Sequence, residues 1–554
     1  MGAPTRTTSM SSGLAALAAG SMLALLQAGT AGAAAQAADS HAQPAATPAK
    51  HARKYFNTVT STTEGTVTVE GRTIHYHAVA GMLIVHPPGW RNDASPRPEP
   101  SGKATPAEAS MFYVAYFEDG VAPDKRPITF LYNGGPGSST VWLHMGAFGP
   151  RRVVTADHTH TSPAPYQIVN NQYSLLDASD LVFVDAPGTG FGRLQGKGAT
   201  QAFYGADPDA HAFSEFITEF LTQYGRWNSP KYLYGESYGT PRSANLINVL
   251  ETHDNIDFNG VMLQSQVLNF DLDSGLGPLT TFNPGIDIPY ELALPTFAAT
   301  AWYHHTLPDP TQPLEPLLQK VEQFALTDYA QALREGSMLS PADRQAIAGK
   351  LHEYTGLPVS YILKADLRIT GGQFAHELLA SSDETTGRLD SRFSGPSLDP
   401  LSETGRYDPQ SSAISSAYVS AFNTYVRQDL RYGKGLYYRP EIPLFMKWNY
   451  AHKAPGVPFA SQQSLNVMPD LANAMKQDPK LKVMLTGGYF DLATPFFEGM
   501  YEMAHLPMPR SLQANIQYHY YDSGHMVYVH LPALKQLHDA AAAFIRSTDN
   551  VSGD

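Results

Sequence analysis

Gly235-Glu236-Ser237-Tyr238-Gly239 follows the strand-like run Lys231-Tyr232-Leu233-Tyr234. A Gly-x-Ser-x-Gly between a strand and a helix makes a turn so tight that the residues two before and two after the serine must be small. That turn lifts the hydroxyl clear of the backbone and aims the next N–H at the place where an oxyanion would form. A serine hydroxyl is a weak nucleophile until a base takes its proton. Among twenty histidines, His525 has the best context for that base: its loop follows the run Ile516-Gln517-Tyr518-His519-Tyr520-Tyr521, and Gly524 lets the backbone turn sharply. Asp491, past the run Lys482-Val483-Met484-Leu485-Thr486, would hold the imidazole and stabilise its cation. Asp522 is the rival, but it lies only three residues from His525, and a separate strand end can approach the ring more squarely. An oxyanion needs two converging N–H donors. Tyr238 N–H is one, and Gly135 N–H, in the turn Asn133-Gly134-Gly135-Pro136-Gly137, is the natural second. Together these residue types spell acyl transfer through a covalent serine intermediate.

Each of these residues needs a strand end to hold it. Ile128-Thr129-Phe130-Leu131-Tyr132 stops at the Gly-rich turn, and Leu181-Val182-Phe183-Val184-Asp185 stops at Pro187-Gly188-Thr189-Gly190. Both are short continuous apolar runs, as suits strands buried on two faces. A helix is expected between the second of these runs and the serine, with Asp207 as N-cap and Pro208 in the first turn. A further helix follows over 243–250, then the strand Val261-Met262-Leu263-Gln264-Ser265. Strand–helix alternation predicts a parallel α/β sheet, whose carboxyl edge binds ligands. With the order Ser…Asp…His, the fold class is α/β: an α/β-hydrolase fold, a mostly parallel central sheet flanked by helices, with an inserted cap region. The expected division is a first core part over 61–268, a cap insertion over 269–465, and a second core part over 466–550. Upstream, runs at 66–69, 74–77, 81–85 and 111–116 suggest antiparallel strands broken by a Pro-rich loop near 87–106. Within the cap, helices are expected over 314–333 and 341–354, and the final helix over 533–545.

Composition narrows the function classes. The chain has 554 residues, 43% of them hydrophobic and 16% charged, ample for a large core. A net charge of −13 with no Lys/Arg-rich run leaves no basic face for nucleic acid. There is no cysteine, so disulfides, thiolate catalysis and thiolate-held metal are excluded. Neither a His-Glu-x-x-His nor a histidine pair at i, i+4 occurs, so neither a metal nor any cofactor is expected. The N-terminus reads as a secretory signal over 1–37: Arg6, an apolar stretch over 14–28, and small-x-small sites favouring cleavage between Ala33 and Ala38. A flexible lead-in over 38–60 follows. Export to a periplasm or to the medium is expected, with no stable membrane anchor after cleavage.

The motifs Asn133-Gly134-Gly135-Pro136-Gly137-Ser138-Ser139, Asp185-Ala186-Pro187-Gly188-Thr189-Gly190-Phe191, Gly235-Glu236-Ser237-Tyr238-Gly239, Gly488-Tyr489-Phe490-Asp491 and Gly524-His525-Met526-Val527 together resemble the serine carboxypeptidase family. The resemblance implies an enzyme that removes C-terminal residues from peptides or proteins with a free C-terminus. It assigns Ser237, Asp491 and His525 as a triad, and Gly135 and Tyr238 as oxyanion donors. It also gives Asn133, Gly134 and Glu236 to the substrate's terminal carboxylate, with the glutamate working protonated. Two departures stand out. Ser138 stands where the family commonly has a cysteine. The family's second carboxylate-recognition glutamate aligns with Ala147, which keeps open an esterase or acyltransferase on the same machinery. His144, nearby, could supply a positive charge instead. Trp142, Tyr238, Tyr489 and Phe490 flank the expected site and could line an apolar pocket.

Overall fold

The computed structural model describes residues 54–88, 106–273, 275, 284–309, 311–461 and 464–551, all within one compact unit, Pro48–Asp554. The signal segment, most of the lead-in and most of the Pro-rich loop lie outside the described residues.

The sequence first lays down three antiparallel strands: β1 (Ser61–Val69), β2 (Arg72–Val85) and β3 (Glu108–Glu118). Burial alternates along β1, which has one solvated face. The separate runs expected at 74–77 and 81–85 are one strand of 14 residues, β2. Gly81 does not break it, because the residue pairs in register with Tyr113 of β3. Then come β4 (Ile128–Tyr132), β5 (Asp180–Val184), β6 (Lys231–Glu236) and β7 (Gly260–Gln264), every residue of them buried. Strands β8 (Lys482–Gly488) and β9 (Ile516–Tyr521) complete the sheet. The order is β1-β2-β3-β5-β4-β6-β7-β8-β9, with the short strand Arg193–Gln195 pairing β3. From β5 to β9 every pairing is parallel. This is the α/β-hydrolase arrangement: strands buried on two faces, joined by crossovers that place helices on both sides.

Helix α1 (Ala206–Gln223) precedes β6, and α2 (Gly239–Val249) begins directly after the serine turn. Two boundaries differ from expectation. Gly205, not Asp207, is the N-cap of α1. The Asp207 carboxylate is committed elsewhere, accepting from His452 Nδ1 at 2.6 Å and Lys453 N at 3.0 Å. Helix α2 starts four residues earlier than 243 because the tight turn runs straight into it.

Between β7 and β8 lie α3 (Ile288–Tyr303), α4 (Leu314–Phe324), α5 (Pro341–Thr355) and α6 (Pro409–Gln428). The first three share a hydrophobic cluster of their own, in which Phe297 stacks on Phe374 at 4.3 Å. In contrast, α6 buries Ala417, Tyr418 and Phe422 in the same cluster as the sheet residues Phe112 and Phe183. Helix α7 (Met468–Gln477) precedes β8, and after β8 come α8 (Phe496–Ala504) and the closing helix α9 (Leu531–Thr548).

The long return from α6 to α7 is pinned by one histidine. His452 bridges Asp207 at 2.6 Å and Asp470 at 2.7 Å. Burial alone would lower its pKa, but the two carboxylates outweigh burial and hold it at about 9. A pKa raised above the unfolded value stabilises the fold fully below the unfolded value of about 6.5 and ceases to as pH rises through the folded one. His452→Gln should therefore lower stability by on the order of 2 to 3 kcal/mol near pH 6. The gap between the thermal midpoints of wild type and variant should close as the pH passes about 9. A gap that is flat with pH would contradict the ion pair.

Candidate active site

The serine turn is built by its glycines. Ser237 adopts φ +60°, a left-handed conformation that costs energy for a residue with a side chain and is typical of functional turns. A Cβ at Gly235 would lie 2.2 Å from Gly239 O and 2.5 Å from Ser243 Oγ, so only glycine lets β6 turn back on α2 this closely. Ser237 N–H donates to Gln264 O at 3.0 Å and Thr240 N–H to Ser237 O at 2.7 Å, which fixes the turn from both sides.

Gly134 brings the second loop in. A Cβ there would sit 2.2 Å from Tyr238 N, so the Asn133–Gly137 turn can press against the residue after the serine only because the position is glycine. The buried Arg242 on α2 ties the two together. Its Nη1 donates to Asn133 O at 2.8 Å, and its Nε donates to the buried Asp209 at 2.6 Å. Neither Gly135 N–H nor Tyr238 N–H donates to another group among the described residues. Gly135, Ser237 and Tyr238 line one cavity of about 750 Å³.

On the other side, His525 Nδ1 lies 2.7 Å from Asp491 Oδ2. Both side chains are buried, and the exposed Asp522 makes no such contact. The Asp491 carboxylate also accepts from Ala493 N at 2.8 Å, Thr494 N at 3.0 Å and Thr494 Oγ1 at 2.8 Å. These donors fix its plane against the ring. Burial pulls the His525 pKa down, but Asp491 outweighs burial and holds it above the ordinary histidine value. Ring nitrogen Nδ1 is engaged, which leaves Nε2 as the atom able to take a proton.

A smaller cavity of about 160 Å³ is lined by Asn133, Gly134, Glu236, Ser237 and His525, so the structure brings the serine, the histidine and these three residues to one place. Asn133 Oδ1 accepts from Leu143 N at 3.1 Å, leaving the amide NH₂ to donate. Burial pushes the Glu236 carboxyl up to about 7, and Gln264 Nε2 donates to it at 3.0 Å.

His144 does not fit the part considered for it. It lines neither cavity; its Nε2 lies 2.7 Å from Tyr116 Oη and its ring stacks on Phe183 at 4.3 Å. Burial pushes its pKa down to about 3, so it is neutral and supplies no charge. Ala147 is fully buried and also lines neither cavity. Of the four aromatics, Trp142 lines the smaller cavity and Tyr238 the larger, while Phe490 is buried in a cluster against which Tyr489 packs. Phe270 and Phe445 line the larger cavity instead, and they come from long loops with no periodic signal. Ser138, in the place of the family's cysteine, accepts from Trp142 Nε1 at 2.9 Å.

The sequence profile of the serine carboxypeptidases matches residues 102–275. Over that segment the chain is similar to the serine carboxypeptidases. The matched segment holds the Asn133–Gly137 turn and Ser237, while Asp491 and His525 lie beyond it. A serine carboxypeptidase-like protein of Arabidopsis thaliana is 23% identical over 239 residues, covering 40% of this chain and 47% of that protein. A pheromone-processing carboxypeptidase of Phytophthora infestans is 30% identical over 141 residues, covering 23% of this chain and 21% of that protein. The chain thus spans less than half the length of these two curated carboxypeptidase relatives. A proline iminopeptidase structure from Mycobacterium smegmatis covers 88% of this chain and 100% of its own, at 12% identity and a TM-score of 0.32.

Beyond the family's motifs, one further set of acids went unread in the sequence. Asp273, Glu498 and Glu502 are buried near Asp491. Burial pushes Asp273 and Glu502 up to about 7 and Glu498 well above the ordinary glutamate value. Raised in this way, they ionise less readily than ordinary carboxylates and compete less with Asp491 for the imidazolium. Their spacing across two distant segments gave no signal.

Proposed function

We propose that the protein is an exported serine carboxypeptidase that releases C-terminal residues from peptides through a Ser237 acyl-enzyme. The observation that carries the reading is the His525–Asp491 pair at 2.7 Å sharing a site with Ser237, Asn133 and Glu236. In this mechanism Ser237 Oγ attacks the scissile carbonyl while His525 Nε2 takes its proton. Asp491 stabilises the imidazolium. Gly135 and Tyr238 N–H groups bind the developing oxyanion. The proton then passes from His525 to the leaving amine, and water hydrolyses the ester by the same route in reverse. Asn133, Gly134 and a protonated Glu236 hold the free terminal carboxylate of the leaving residue. The N-terminal segment, with its apolar stretch over 14–28, supports export.

An esterase or acyltransferase would use the same machinery, and Ala147 in place of a recognition glutamate favours it. The two readings separate on substrates. A carboxypeptidase cleaves N-blocked dipeptides, whereas the rival hydrolyses or transfers from esters alone. Labelling by a fluorophosphonate, mapped to Ser237 by peptide mass spectrometry, is expected in both cases; a protein that stays unlabelled has no active serine, and both readings fall.

The Glu236 carboxyl sets a pH dependence. Its pKa is raised by burial to about 7, so below that value it is protonated and can donate to a carboxylate. Above it, the ionised form repels one. KM for free-acid peptides should rise as the pH passes about 7. Glu236→Gln, neutral at every pH, should flatten that rise. A variant whose KM climbs as the wild type's does would remove Glu236 from carboxylate binding. Independently, kcat should fall on the acid side as His525 protonates, at a pH above that of an ordinary histidine.

A further inference from the structure

With Ala147 and His144 both turned away from the cavities, the site lacks the second group expected to hold a terminal carboxylate. The structure supplies a different one. Among the described residues lining either cavity, Arg388 is the only lysine or arginine, and it lines both. It therefore stands at the wall where the two spaces meet beside Ser237.

The backbone of Arg388 is clamped to the loops that carry the acid and the base. Leu492 N–H, next to Asp491, donates to Arg388 O at 3.1 Å. His525 N–H donates to Leu389 O at 2.6 Å. From below, Asp408, the N-cap of α6, accepts from Arg388 N at 2.9 Å and Leu389 N at 2.8 Å. So the position of Arg388 relative to His525 and Asp491 is set by four hydrogen bonds, although its side chain is exposed.

The guanidinium is uncommitted where it matters. Its Nε donates to Gly275 O at 3.1 Å, and among the described residues no carboxylate forms an ion pair with it. Its charge still reaches the site, opposing protonation of His525 and favouring ionisation of Asp273. The smaller cavity otherwise carries the acids Glu236 and Glu441. Above about pH 7, where Glu236 ionises, an anionic substrate terminus entering beside it needs a cation, and a guanidinium can meet a carboxylate with two parallel N–H donors.

We propose that Arg388 is the cationic anchor for the terminal carboxylate of the substrate, doing the work that a glutamate at position 147 would share in the family. This rests on the carboxypeptidase reading and deepens it by adding a specificity-determining residue to the carboxylate site. The leaving residue lies in the smaller cavity with its carboxylate between Arg388 and the Asn133 amide. Because arginine keeps its charge at every accessible pH, cleavage of free-acid peptides persists where Glu236 has ionised.

The test compares one N-blocked dipeptide as free acid and as C-terminal amide, with wild type, Arg388→Gln and Arg388→Lys. Charge-assisted hydrogen bonds imply that Arg388→Gln lowers the free-acid to amide ratio of kcat/KM by about 10- to 100-fold, mainly through KM. Arg388→Lys, which keeps the charge without the fork, should recover part of it. If wild type cleaves the free acid and Arg388→Gln leaves the ratio within about twofold, Arg388 is not the anchor and the carboxypeptidase reading stands. If wild type cleaves neither peptide but hydrolyses an N-blocked amino-acid ester, the carboxypeptidase reading fails and the anchor with it.

Discussion

Ser237→Ala should lower kcat for peptide cleavage by about 10⁴- to 10⁶-fold, to the residual rate that binding and oxyanion donors alone provide. The reasoning is structural as well as chemical. Ser237 holds φ +60° in a turn that has room only for glycine at position 235. Among the described serines and threonines that line the two cavities, Ser237 is the one that lines both. Alanine tolerates the turn no worse than serine does, so the variant should fold and bind substrate with a KM near that of wild type. It should also lose fluorophosphonate labelling. Residual activity above about 1% of wild type would mean that a different nucleophile acts.

Asp491→Asn should cost about 10⁴-fold in kcat with little change in fold. The carboxylate meets His525 Nδ1 at 2.7 Å through Oδ2, while its Oδ1 accepts from the backbone N–H groups of Ala493 and Thr494. An asparagine can keep its oxygen toward those two backbone donors, and its amide N–H₂ then faces the ring. The imidazole is forced to accept at Nδ1 and to carry its proton on Nε2, the nitrogen that should receive one from Ser237. Asp522→Asn, at the exposed neighbour, should leave kcat within about twofold of wild type. A large loss at 522 with a small one at 491 would reverse the assignment.

Much of this site could be read from the chain because each of its residues follows a strand with a strong local signature. Residues 128–132 and 516–521 are strands to the residue, and β5, β7 and β8 shift by two residues or fewer at either end. Continuous apolar runs of that kind have few alternatives in a buried parallel sheet. The glycines were legible for the same reason, since a close backbone approach leaves a residue-type trace. Arg388, Thr494, Phe270 and Phe445 left none. They reach the site through loops whose placement depends on long-range hydrogen bonds, such as His525 N to Leu389 O, and no periodicity encodes those. The direction of His144 is not legible, because sequence proximity to Gly149-Pro150 says nothing about which way a π-helical turn points its side chains. The turn Leu143–Phe148 buries all of its residues. The N-cap of α1 was misjudged for a related reason: Asp207 had a better partner, His452, far away in the chain.

This serine site is proposed to trim peptides from a free C-terminus. The most direct measurement is mass spectrometry of peptides incubated with the mature protein and with Ser237→Ala, each peptide offered with a free and with an amidated C-terminus. The expected result is stepwise loss of residues from the free form, little from the amidated form, and none with the variant. Peptides of both forms left intact by a protein whose Ser237 still takes a fluorophosphonate would contradict it, and would point to an esterase or acyltransferase.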